Sequence, residues 1–253
     1  MLSKSFRDFH DRAFVVTVRS FVDRQESSLK ELGDGNFEFI YGVDKATVSK
    51  EQMITDGTYD EARAIEIDRS SKPMTLGHIC CSIGHANVYR QMVESGIERA
   101  MIFEDDVVVL PANEADISVA VEHIPADAEL IYWGWTGIEK RPAFASAKQQ
   151  LYKLQHSLGL LKYNHRMIDN LYPREHNKYF KVAGKHFCAH AYTLTLSGAK
   201  TLLRWNTPVV LNADNALMYA VMNGDLRAYV STQQFFGQRS LDESDPIQSL
   251  TQS

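Results

Sequence analysis

Three consecutive acids, Glu104, Asp105 and Asp106, follow the apolar run Met101-Ile102-Phe103 and precede Val107-Val108-Val109. Carboxylates packed against such a run are costly to bury unless a positive charge compensates them. A divalent cation does this with few atoms, because hard cations take oxygen ligands. At the carboxyl end of a strand in an open α/β sheet, where ligands bind, the cluster predicts a metal that holds a phosphate-bearing substrate. Successive strand residues face opposite sides, so Glu104 and Asp106 reach one side and Asp105 the other. If the strand stops at Glu104, the turn brings Asp105 or Asp106 directly onto a ligand. The competing reading is an acidic stretch that caps a helix or stands in solvent.

Other residues with chemical potential are spread along the chain. His78, Cys81, Ser82, His85 and Met92 recur at steps of three and four, so they share one face of a helix. His78, Cys81 and His85 have ligand types suited to a transition metal, but no fourth ligand stands nearby in sequence. Packing against a sheet is the simpler role, with His85 still able to touch substrate. Arg19 and Arg24 follow the first apolar run, at the strand–helix turn where open α/β sheets take nucleotides; each also reads as a surface arginine. Neither GxGxxG nor GxxxxGK[ST] occurs, which removes the dinucleotide and P-loop fingerprints. His186-Phe187-Cys188-Ala189-His190 sets two histidines on an expected strand. Asp214 alone reads most simply as a helix N-cap.

The elements that must position these residues follow from periodicity. Ala13–Val18 predicts a first strand, 23–32 a helix ended by Gly33 and Gly35, and Phe37–Tyr41 a second strand, which together make a parallel βαβ opening. Thr75–Ser95 predicts a long helix stopped by Gly96. Arg99–Val109 contains the central strand, Asp116–His123 a helix, Glu129–Trp135 a buried strand, and His186–Leu196 another. Ser197–Trp205, with Ser197 as cap, and Asp214–Asn223 predict helices; Ala228–Thr232 predicts a last strand, followed by a polar irregular tail. Residues 143–179 predict loops with some helix. The fold class expected is α/β, a mixed, mostly parallel sheet flanked by helices, in one domain over 1–253 with a basic insertion at about 139–186.

Composition bounds the function. With 44% hydrophobic and 23% charged residues in 253, the chain can bury a sizeable core. No apolar run approaches the ~20 residues of a spanning helix, and the N-terminus lacks a secretory pattern. Three cysteines, two adjacent, predict no disulfide framework and a cytoplasmic setting. The net charge of −5 argues against a nucleic-acid partner. It is unevenly spread: residues 139–186 hold ten Lys/Arg against three acids, about +7, leaving about −12 elsewhere. That segment reads either as a solvated insertion or as a surface for anionic lipid headgroups or a phosphorylated acceptor.

Four motifs in order resemble glycosyltransferase family 25, whose bacterial members build outer sugars of lipopolysaccharide or lipooligosaccharide. Val15 to Leu29, with Arg24, resembles its opening strand and arginine-bearing helix. Cys81 to Arg90 resembles its C-x-x-S-H helix, with Gly84 where serine is usual. Phe103-Glu104-Asp105-Asp106-Val107 is similar to its signature. Ala189 to Ala199 resembles its G-T-x-A-Y segment, with Ala189-His190 in place of Gly-Thr. Asp214 falls on a later aspartate, Gln233 on a glutamine near the C-terminus, and Asp242-Glu243-Ser244 on the closing segment.

The resemblance implies a GT-A (Rossmann-like) fold, a UDP-hexose donor, usually UDP-galactose, an inverting transfer, and Mn²⁺ or Mg²⁺. It implies Asp106 as metal ligand, with Asp105 and Glu104 orienting sugar, ribose or metal. It also implies Asp214 as general base, Arg24 and Gln233 (with Arg19) near the nucleotide or diphosphate, and His85 and His190 beside the donor. The acceptor implied is a lipid-linked oligosaccharide at the inner face of the cytoplasmic membrane, with a peripheral contact there. Two rivals remain at this stage: a non-catalytic relative that only binds a nucleotide sugar, and a metal-dependent phosphohydrolase, which needs more His and Asp ligands than the chain assembles.

Overall fold

The computed structural model describes residues 3–33, 35–111 and 114–241. Its strands are β1 (Arg12–Thr17), β2 (Glu38–Tyr41), β3 (Arg99–Glu104), β4 (Val107–Val109), β5 (Leu130–Tyr132), β6 (Thr136–Gly137), β7 (Arg174–Glu175), β8 (Phe180–Val182), β9 (His186–Phe187), β10 (Ala191–Thr195), β11 (Ala228–Ser231) and β12 (Phe236–Gln238). Its helices are α1 (Lys4–Asp8), α2 (Val22–Leu32), α3 (Lys50–Thr55), α4 (Glu61–Ile67), α5 (Leu76–Ser95), α6 (Glu114–Glu122), α7 (Ala145–Ser157), α8 (His165–Asp169), α9 (Leu196–Trp205) and α10 (Ala213–Met222).

Eight strands form the main sheet in the order β2-β1-β3-β10-β5-β11-β8-β7. β1 pairs in parallel with β2 and β3, and β5 with β11, while β10 and β8 run against their neighbours. Most strands therefore point their carboxyl ends to one edge of an α/β sheet, where ligands collect. Alternation sorts the core onto two faces. Phe14, Val16, Ile102, Leu130, Tyr132 and Tyr192 pack with Val88, Tyr89 and Met92 of α5 and with α9 and α10. Val15, Met101, Phe103, Ile131 and Trp133 pack on the other face with Phe6, Leu32, Ile117 and Phe236. A third cluster joins α3, α4, α5, α8 and α10 beside the sheet through Met53, Tyr59, Ile79, Met167 and Tyr219.

The α5 helix matches its sequence signals at both ends. Thr75 Oγ1 accepts from the His78 N–H, and Gly96 closes the helix in the left-handed region at φ 64°. Elsewhere the structure corrects the expectations. The strand expected over 186–196 is two strands, because Cys188 turns the chain at φ 75°. Thr195, not Ser197, caps α9, and Asn212, not Asp214, caps α10. As far as Leu241 the tail after Gln233 is not irregular: β12 pairs with β4, and a short 3₁₀ turn follows over Arg239–Leu241. Within 139–186, α8 packs against α10 and α7 against α8, and β7 and β8 extend the sheet beyond β11. Among the described residues no helix is long and apolar enough to cross a membrane. Asp242-Glu243-Ser244 lies outside the described residues.

Candidate active site

The acids of the central strand end where the sheet ends. β3 stops at Glu104, and Asp105 and Asp106 form the turn into β4. The parallel register sets Val16 opposite Glu104, which brings Thr17, the last residue of β1, to Asp105. Thr17 Oγ1 donates to Asp105 Oδ2 at 2.7 Å, and Arg24 donates to Asp105 Oδ1 at 2.8 Å. Ser28 Oγ adds a bond to the Asp105 carbonyl at 3.2 Å. The α2 helix thus grips the turn from outside the sheet.

Glu104 shares the face of Ile102 and points toward α5. His85 Nε2 stands 3.2 Å from Glu104 Oε1, Cys81 Sγ 4.0 Å from the same oxygen, and Gln238 Nε2 donates to Oε2 at 3.0 Å. Behind it, His85 Nδ1 meets the Tyr192 hydroxyl at 2.8 Å, which meets that of Tyr89 at 2.8 Å. Burial holds the His85 imidazole down at about 4. Its contact with Glu104 is therefore a hydrogen bond of a neutral ring rather than an ion pair. Burial first, and then the neighbouring Asp106 and Asp105, push the Glu104 carboxyl up to about 8, against the pull of Arg24. Burial outweighs the Arg24 and Thr17 contacts at Asp105, which is also raised.

Asp214 arrives from the other side, in the first turn of α10, where the helix dipole favours a carboxylate. Its two oxygens accept the backbone N–H groups of Cys188 (3.0 Å) and Ala189 (2.9 Å), fixing the left-handed kink between β9 and β10. Burial and Glu104 raise it to about 6 despite those bonds. Thr17, Phe21, Arg24, Lys45, His78, Cys81, the three acids, Cys188, Asp214 and Gln238 line one cleft of ≈ 330 Å³.

Two groupings in this cleft have ligand character. Asp106 is buried, and among the described residues its Oδ1 has no hydrogen-bond partner. An enclosed carboxylate oxygen with an open lone pair fits a hard divalent cation. Each Asp105 oxygen already accepts a bond, so Asp106 is the freer ligand. Cys81, His85 and Glu104 also bring ligand atoms within 4.8 Å of one another.

Of the residues singled out from sequence, Arg24, Glu104, Asp105, Asp106 and Asp214 line the cleft, and His85 stands directly behind Glu104. Three do not join them. Arg19 is exposed and lies over the Tyr41 ring at 4.0 Å. His190 is buried against Gly134, its Nε2 3.3 Å from the Phe236 carbonyl. Gln233 is exposed beyond β11; the glutamine that reaches the acids is Gln238, carried there because β12 pairs with β4 at Gln238–Val107. Sequence reasoning also passed over Thr17, Tyr192 and Gln238. The position of Thr17 at the end of the first strand was the available signal for one of them.

Comparison with known proteins adds an independent observation. Residues 10–217 match the family model described as Glycosyltransferase family 25 (LPS biosynthesis protein). A Homo sapiens protein named procollagen galactosyltransferase 2 is 24% identical over 137 residues, 49% of this chain and 20% of its own length. A Bos taurus protein named "Probable inactive glycosyltransferase 25 family member 3" is 22% identical over 195 residues, 76% of this chain and 28% of its own. The chain thus spans under a third of the length of these relatives. Among solved structures, mannose-1-phosphate geranyltransferase from Thermus thermophilus aligns over 89% of this chain and 60% of its own, with a TM-score of 0.37 and 10% identity.

Proposed function

The chain belongs to glycosyltransferase family 25, and on that premise we propose that it transfers a hexose, galactose before others, from a UDP-sugar to a glycan of lipopolysaccharide or lipooligosaccharide type. The transfer is inverting, and the acceptor is lipid-linked. The observation that carries this reading is Asp106, an enclosed carboxylate with an unpartnered oxygen at a cleft that Arg24 also lines.

Each residue then has a task. Asp106, with Asp105 beside it, would hold a divalent cation, Mn²⁺ or Mg²⁺, which when bound would neutralise charge on a departing diphosphate. Arg24, tied to Asp105, adds fixed positive charge at the same end of the cleft. Glu104, held by His85 and Gln238, presents an oriented carboxyl group to the donor sugar. Asp214 takes the proton of the acceptor hydroxyl as the hydroxyl oxygen bonds to the anomeric carbon and the carbon–oxygen bond to UDP breaks. A base with a midpoint near 6 is well matched to that task near neutral pH, and the transition state is oxocarbenium-like. The name of the human relative supports galactose as the sugar.

The name of the bovine relative favours a second reading, a nucleotide-sugar binder without turnover. One experiment separates the two. Calorimetry with a UDP-sugar panel, with Mn²⁺ and with chelator, on wild type and Asp106→Ala, should give metal-dependent binding of one UDP-hexose, lost in the variant. Binding together with transfer to a glycan acceptor supports the enzyme. Binding without any turnover supports the second reading, and no binding of any UDP-sugar overturns both.

A further inference from the structure

Among the described residues seven large apolar side chains are exposed, and five of them fall between 144 and 160. Phe144 is 82% exposed, Leu151 53%, Leu154 57%, Leu158 64% and Leu160 75%. At 100° per residue, 144, 151, 154 and 158 lie within an arc of about 80° on α7 and its two end residues. The stripe is not the core face of this helix. Ala145 and Gln149, on another side, are buried, and Gln149 Nε2 donates to the carbonyls of Ile168 (2.7 Å) and Asp169 (3.2 Å). The α7 helix therefore has one face anchored to the protein and a second apolar face turned outward.

The sequence that carries that face has charge of one sign. From 140 to 168 the chain has six Lys/Arg and no acid. Among the described residues only Lys153 of these six is tied to a carboxylate, that of Asp169 at 2.6 Å. Arg141 bonds Ser146 and Gln149, Lys162 the carbonyls of Ile65 and Asp68, and Arg166 that of Gly224, neutral partners that leave the positive charge in place.

We propose that α7 docks in the plane of an anionic bilayer surface, with Phe144 and the leucines at the acyl boundary and the cations on the headgroups. An outward apolar stripe framed by lysine and arginine is the pattern of an interfacial helix. A second copy of the chain fits less well, because pairing the stripes would bring two strongly positive segments face to face. The surface stands on the geometry of α7 and holds whatever reaction the cleft performs.

The test is sedimentation of the full chain with vesicles of phosphatidylcholine alone and of phosphatidylcholine with phosphatidylglycerol. Wild type should pellet with the mixed vesicles only. Binding should fall on the order of tenfold or more in Leu154→Glu/Leu158→Glu, which removes buried apolar area and adds like charge. It should fall several-fold in Lys148→Glu, which keeps the stripe. Both changes sit on exposed positions, so the melting temperature and UDP-sugar binding should not move. No binding by wild type, or equal binding by the double variant, overturns the proposal. So does a wild-type dimer at sedimentation equilibrium that the double variant splits without any vesicle binding, which assigns the stripe to a second copy.

Discussion

Asp105 and Asp106 are adjacent and of one type, yet their surroundings differ. Asp105 spends its oxygens on Thr17 and Arg24, whereas Asp106 keeps one enclosed oxygen without a partner. Thr17→Val should therefore leave Asp105 short of a donor and cost about 1–3 kcal/mol in denaturant unfolding. Asp214 has both a structural and a chemical task. If it is the base, kcat/KM should rise with pH through about 6, since the carboxyl must be ionised to accept a proton. Asp214→Asn should then lower the rate by roughly 10²–10⁴ and flatten that limb. A merely structural Asp214 would instead leave the limb in place and lower only stability, because an amide offers one acceptor where Cys188 and Ala189 use two. The acids were legible in sequence because three carboxylates after an apolar run demand compensation. Gln238 was not: only the pairing of β12 with β4 carries it to Glu104, and polar residues of a short edge pair leave no periodic signal.

At the scale of elements, the cleft depends on how closely α5 approaches β1. A Cβ on Gly84 would stand 2.7 Å from Val16 Cγ1, and Gly42 lies just beyond. Serine at 84, the usual residue in the resembled motif, would press on a stiff β-branched side chain at the wall of the cleft. Gly84→Ser should therefore cost about 1–3 kcal/mol and weaken donor binding; unchanged melting and calorimetry would refute the close contact. The ends of α5 were readable from Thr75 and Gly96 alone, since capping is local chemistry. The break between β9 and β10 was not, because the kink at Cys188 is held by Asp214, 26 residues away. Likewise His190, which replaces threonine in the motif, settles over Gly134, a neighbour that only the folded sheet supplies.

For the whole molecule, stability depends on histidines enclosed without charge. His186 is fully buried and takes the Gly184 N–H on Nδ1 at 3.1 Å, while its Nε2 has no partner among the described residues. Burial lowers it to about 4, and lowers His10 to about 4 as well. Between 6.5 and 4 the unfolded chain binds these protons and the folded one does not, so stability is lost as pH falls through that window. Asp214, raised to about 6, acts in the opposite sense, since there the folded state holds the extra proton. The histidine contribution is isolated by comparing urea midpoints of wild type and His186→Phe at pH 7 and pH 5. The acid loss should be smaller in the variant by about 2 kcal/mol at most, since pH 5 lies about 1.5 units below 6.5, and parallel losses would refute the assignment. The reversed strand β10 has a consequence of another kind. It fills the gap between β3 and β5, yet comes nearly ninety residues after β3 in the chain. Until it is made, the growing polypeptide carries two bare strand borders, apolar over Ala100–Phe103 and Leu130–Tyr132, a state that invites intermolecular pairing. A nascent chain halted at residue 190 should therefore aggregate, while one extended past Thr195 can seal the seam.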